Sequence, residues 1–101
     1  MKKLLVANRG EIAIRIARAS NDLGLKTIGI YSEDDHDSLH VSKMDESYQL
    51  KGEGAKAYLD SKGIISIALN NKVDLVHPGY GFLSENPDFV KGCEARGIAF
   101  I

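Results

Sequence analysis

The chain alternates between short, mostly apolar runs and longer stretches in which apolar residues recur every three to four positions. Residues 3–7 (KLLVA), 26–31 (KTIGIY), 73–76 (VDLV) and 98–101 (IAFI) have the pattern of strands buried on both faces of a sheet, with SYQL at 47–50 a weaker fifth. Over residues 11–23 the period lengthens. There Ile12, Ile16, Ala19 and Leu23 predict a buried helix face with Ala13 and Ala17 beside it, and Glu11, Arg15, Arg18 and Asp22 a charged one, closed by Gly24. A short helix is expected at 38–44, capped by Asp37 or Ser38. Residues 61–70 predict a third helix, capped by Asp60 and burying Ile64, Ile65, Ala68 and Leu69. Residues 87–96 predict a fourth, with Asn86 as N-cap, Pro87 at the first helical position, Phe89, Val90 and Cys93 inward and Gly97 as its stop. Strand and helix alternating through short connections predict an α/β fold: a small open parallel five-stranded sheet with helices on both faces. Right-handed crossovers then bring residues 8–10, the acidic loop 32–37 and residues 77–86 to one rim.

Composition narrows the classes. With 101 residues, 44% hydrophobic and 27% charged, the chain is one ordinary globular domain. A formal net charge of -1 offers no basic surplus for nucleic acid. No apolar run approaches the ~18 residues that span a bilayer, and the run after Lys2-Lys3 is too short for a signal peptide. Cys93 is the single cysteine, which excludes an internal disulfide and fits a reducing compartment, so the expected location is cytoplasmic.

Most candidate motifs fail on spacing. The turn Asn8-Arg9-Gly10 has one glycine where a dinucleotide fingerprint has three, and Glu11 puts negative charge where a pyrophosphate would sit. His36 and His40, four apart among aspartates, would suit a metal on a shared helix face but have no third ligand at useful spacing, so no metal site is expected. Residues 51–57 spell G-x-G-x-x-A, yet they follow a weak strand, carry Glu53 inside the turn and lack G-K-[ST]; they read as a flexible connection. Cys93 sits at core spacing with nothing nearby to lower its pKa, so it reads as packing. The stretch that survives is His77-Pro78-Gly79-Tyr80-Gly81-Phe82-Leu83-Ser84-Glu85-Asn86, between a strand and a helix start. Gly79 and Gly81 can take positive φ or let a ligand approach the backbone, and strand-end loops of open α/β sheets are where ligands bind. Tyr80 and Phe82 either serve such a site or cover the edge of the core.

Leu5-Val6-Ala7-Asn8-Arg9-Gly10-Glu11-Ile12-Ala13-Ile14-Arg15 and His77 to Asn86 resemble the two signature stretches of the biotin carboxylase family, and His40-Val41, Asp45-Glu46 and Tyr58-Leu59-Asp60 fall at the expected places between them. Met44 and Ser61-Lys62-Gly63 depart from the family's usual residues, outside both signatures. The resemblance implies a Rossmann-like pre-ATP-grasp domain, residues 1–101, with the ATP-grasp and C-terminal domains absent from this chain. It implies a ligase that in full length uses ATP, Mg²⁺ and bicarbonate to carboxylate biotin, as in acetyl-CoA and pyruvate carboxylases, and a domain that is inactive alone with no tightly bound cofactor. Tyr80, Gly81 and Phe82 would face biotin, with His77, Pro78 and Gly79 shaping the loop and no catalytic residue in this domain. Arg15, Arg18 and Asp22 would lie at a homodimer contact. The implied partners are the ATP-grasp domain, a biotin carboxyl carrier protein and a carboxyltransferase component. A stand-alone small-molecule binding module and a dimerisation scaffold are the alternatives, which a reading frame continuing beyond Ile101 would disfavour.

Overall fold

The central strand, β1 (Lys3–Val6), buries Leu4, Leu5 and Val6 because both of its faces are covered. In the computed structural model, which describes residues 1–101, it is joined by β2 (Lys26–Tyr31), β3 (Glu46–Gln49), β4 (Leu75–His77) and β5 (Ala99–Phe100). All pairings are parallel, in the order β3-β2-β1-β4-β5, with Leu5 opposite Ile28 on one side and Val76 on the other. The chain walks outward from β1 to β3, then crosses back to β4. That reversal creates a switch point between β1 and β4, where neighbouring strand-end loops diverge.

Alternation along β1 assigns its side chains to two cores. Leu5 and Ala7 join Ile28, Ile30 and Val76 in the larger one, beneath α3 (Ser61–Asn70) and α4 (Pro87–Glu94), which supply Ile64, Ile65, Phe89 and Cys93. Leu4 and Val6 face the other side, under Ala13 and Ala17 of α1 (Gly10–Asp22) and Met44, which follows the single-turn α2 (Leu39–Ser42). Met44 fits because Gly29 lies beneath it: a Cβ there would stand 2.5 Å from Met44 Cγ. The strand–helix alternation and the two-faced layering are as the sequence predicts.

Helix phase is where the expectation needs correcting. The buried face of α1 is Ala13, Ile14, Ala17 and Ser20, while Ala19 is exposed and Leu23 is 79% exposed. Small residues let the helix close on the sheet, and Ile12 and Ile16 are left half-buried at its flank, against Gly79. Leu69 of α3 is likewise exposed rather than buried. The helix at 38–44 shrinks to Leu39–Ser42, and Ser38 donates its hydroxyl to Asp35 instead of capping it. Local caps hold elsewhere: Asp60 accepts from the Gly63 N–H and Asn86 from the Phe89 N–H. Residues 51–57 are not a loose connection. Gly52 N–H donates to Glu33 and Gly54 N–H to Asp34, and Ala55–Leu59 forms a 3₁₀ turn that buries Tyr58.

Candidate functional site

The strand-end loops meet on one rim, as right-handed crossovers require, and polar side chains tie them together. Arg9, after β1, makes a two-pronged ion pair with Asp35, after β2: Nε to Oδ2 at 2.7 Å and Nη2 to Oδ1 at 2.9 Å. Tyr58, after β3, donates its hydroxyl to the same carboxylate at 2.6 Å while accepting from the Ser32 N–H at 3.0 Å. The Arg9 guanidinium lies 5.8 Å from the centre of the Tyr58 ring. On its other flank Tyr58 meets Phe82, after β4, with ring centres 5.5 Å apart. One network thus spans the ends of four strands.

Its electrostatics follow from the geometry. The Arg9 guanidinium holds the Asp35 carboxyl well below the usual carboxylate range, assisted by the Tyr58 and Ser38 hydroxyls, and Asp35 in turn raises the affinity of Arg9 for its proton. Burial, with the hydrogen bond to Asp35, pushes the Tyr58 phenol up. All three groups are therefore locked in their neutral-pH forms, which suits a brace and not an acid–base device.

The switch point between β1 and β4 is filled by Asn8. It is 0% exposed, and its Nδ2 donates to Pro78 O and to Tyr80 O, both at 2.8 Å, while its Oδ1 accepts from the Arg9 N–H at 2.8 Å. Gly79, at φ 65°, packs against it, and the Gly79 N–H donates to His77 Nδ1 at 3.0 Å. That bond needs a neutral His77 ring with its proton on Nε2, and burial holds its pKa down. Gly81 follows at φ 75°, and Phe82, unusually for a residue with a side chain, at φ 47°.

Of the residues expected to face a ligand, Tyr80 is 72% exposed and Gly81 is exposed with an N–H that donates to no protein acceptor. Phe82 turns its ring inward onto Tyr58 and the larger core. Beside Tyr80 a hollow of about 250 Å³ opens between α1 and the loop, lined by Ile12, Arg15, Ile16, His77, Gly79 and Tyr80. A larger hollow of about 570 Å³ lies at the opposite end of the sheet, around Gly24, Lys26 and Glu46. There Lys26 and Glu46 satisfy each other at 2.7 Å.

Arg15, Arg18 and Asp22 are exposed on the outer face of α1. Arg15 pairs with Glu11 at 3.2 Å, and the Arg18–Asp22 pair that their spacing allows is not formed. His36 and His40 do not share a face: His36 is exposed beside Asp37, and His40 is buried with Nε2–H on Ile30 O. Burial raises the Cys93 thiol, as befits a packing residue. Sequence reasoning passed over Asn8 and Asp35 as ligatures of the rim. The signal available was an amide and a carboxylate at successive strand ends, with no indication of which loop each would reach.

Comparison with known proteins fits this architecture. The whole chain, residues 1–101, matches the family model described as the N-terminal domain of biotin carboxylase. It is 59% identical over 104 residues to pyruvate carboxylase of Bacillus subtilis, covering 100% of this chain and 9% of that protein. The solved biotin carboxylase domain of a single-chain bacterial carboxylase superposes with a TM-score of 0.96 at 47% identity, over 99% of this chain and 24% of that one. A biotin carboxylase domain dimer of Hydrogenobacter thermophilus 2-oxoglutarate carboxylase, solved with MgADP, ADP and bicarbonate, gives 0.88 at 44% identity, over 98% of this chain and 22% of that one. The chain thus spans between about a tenth and a quarter of the length of these relatives. By fold, sequence and full-length match, the chain belongs to the biotin carboxylase N-terminal domain family.

Proposed function

We propose that this chain is the N-terminal domain of a biotin-dependent carboxylase, a ligase that carboxylates biotin with ATP and bicarbonate, and that its β4–α4 loop forms one wall of the biotin site. The observation that carries the reading is the exposed pair Tyr80 and Gly81 at the switch point. An aromatic face beside an apolar hollow, next to an unpaired backbone N–H, fits a flat, uncharged ring with a polar edge. Phe82 supports the loop from beneath, and His77, Pro78 and Gly79 set its turn.

The glycine-rich turn at 52–54 spends its N–H groups on Glu33 and Asp34. In this reading nucleotide and metal are held by an ATP-grasp domain elsewhere in the enzyme, and the domain alone is expected to be inactive. A carrier protein bearing biotin and a carboxyltransferase component are the further partners. The outer face of α1, with Arg15, Arg18 and Asp22, is proposed as a homodimer contact, a reading supported by the dimeric state of the 2-oxoglutarate carboxylase domain.

Tyr80→Ala in the full-length enzyme tests the site. The KM for free biotin should rise about tenfold while that for ATP stays within about twofold, because only the former ligand loses a contact. The isolated domain should melt within about 2 °C of wild type, since an exposed ring supports little core. A fall of several degrees with both KM values unchanged would make Tyr80 a packing residue.

A further inference from the structure

The peptide between Tyr80 and Gly81 has one end held and the other free. Tyr80 O is gripped by Asn8 Nδ2 at 2.8 Å, deep in the β1–β4 crevice. In a trans peptide the carbonyl and the following N–H point in opposite directions. Drawing Tyr80 O inward therefore turns the Gly81 N–H outward, and that N–H meets no protein acceptor. The second Nδ2 hydrogen, on Pro78 O, fixes the preceding turn in the same way and leaves the Gly79 N–H aimed at His77 Nδ1.

The amide has one workable orientation. Flipped, its oxygen would face two carbonyl oxygens and its NH₂ would face the Arg9 N–H, so all three bonds would be lost at a site with no exposure. Access depends on Gly79, where a Cβ would stand 3.0 Å from Asn8 Nδ2 and 2.8 Å from Ile12 Cγ2. Two features thus cooperate: a glycine that lets the amide in, and an amide that selects the direction of the next free N–H.

We infer that Asn8 is a positioning residue for biotin binding: by holding Pro78 O and Tyr80 O it presents the Tyr80 ring and the Gly81 N–H to the ligand. This rests on the biotin reading of the loop given above. Asn8 touches no substrate itself and acts only through the peptide it holds.

The test uses the full-length enzyme. Asn8→Asp keeps the shape and the acceptor for Arg9 but sets a carboxylate against two carbonyls. Because a buried carboxylate can unfold the domain, Asn8→Ser, uncharged and with a single donor on a shorter arm, is measured beside it. In the folded variant the KM for free biotin should rise about five- to tenfold with the ATP KM within about twofold. Hydrogen exchange should accelerate in the segment 78–84 while β1 and β2 stay protected. Tyr80→Ala is the control. If it raises the biotin KM and a folded Asn8 variant does not, the Asn8 inference alone has failed. If Tyr80→Ala has no effect on biotin, the reading of the loop has failed and the positioning role falls with it. Unfolding of both Asn8 variants would overturn the inference in favour of a purely architectural asparagine.

Discussion

His40 and His77 show how single side chains couple this fold to pH. His40 is buried with its Nε2–H on Ile30 O, and its Nδ1 meets no partner, so a proton there would be a charge with no acceptor. Burial pushes its pKa down and outweighs the hydrogen bond to Ile30 O and the Asp35 charge, which raise it, while the Arg9 charge lowers it further. His77 is lowered by burial as well, and its Nδ1 must stay free to receive the Gly79 N–H. Both rings are harder to protonate folded than unfolded. The stability they contribute is therefore fully present above about 6.5, the unfolded value, and is lost as pH falls from there through the lower folded values. Asp35 stays ionised throughout that window, because Arg9 holds it well below the usual range and its contribution is lost only at much lower pH. The melting temperature of the isolated domain should fall between pH 7 and pH 5. His40→Gln keeps a donor for Ile30 O and removes a titrating ring, so its melting temperature should fall less steeply; slopes that superimpose on wild type would deny His40 this role.

At the scale of elements, α1 carries both the clearest success and the clearest error of sequence reading. Its C-terminal limit at the Gly24 stop, at φ 79°, was legible because capping is local chemistry. Its phase was not. Periodicity weights isoleucine and leucine over alanine, whereas close packing on β1 selects Ala13 and Ala17 and sends Ile12 and Ile16 to the flank. The displaced isoleucines line the hollow beside Tyr80. The outward stripe holds no strong ion pair: Arg15 and Glu11 are 77% and 71% exposed, which leaves their bond screened and worth little. Arg15 and Arg18 are thus available to a partner. Changing both to glutamate in the full-length enzyme should shift sedimentation towards monomer with the far-ultraviolet dichroism unchanged. Sedimentation identical to wild type would return the stripe to solvent.

Over the whole molecule, the order β3-β2-β1-β4-β5 places the crevice between β1 and β4, and topology alone was enough to bring the right loops to one rim. What holds the rim was not legible. Asn8 and Tyr80 are 72 residues apart and Arg9 and Asp35 are 26 apart, and no local pattern pairs groups at such separations. Seen whole, the domain is a braced platform: Arg9, Asp35 and Tyr58 are locked in their charge states, Asn8 fills the switch point, and Tyr80 with the Gly81 N–H stands free above it. In the function proposed above, this free pair meets biotin. A crystal structure of the full-length enzyme with biotin bound tests it most directly. The ureido ring should lie in van der Waals contact with Tyr80, with its carbonyl oxygen about 3 Å from Gly81 N. Biotin seated with no atom within about 4.5 Å of either residue would rule out a biotin-facing role for Tyr80 and Gly81.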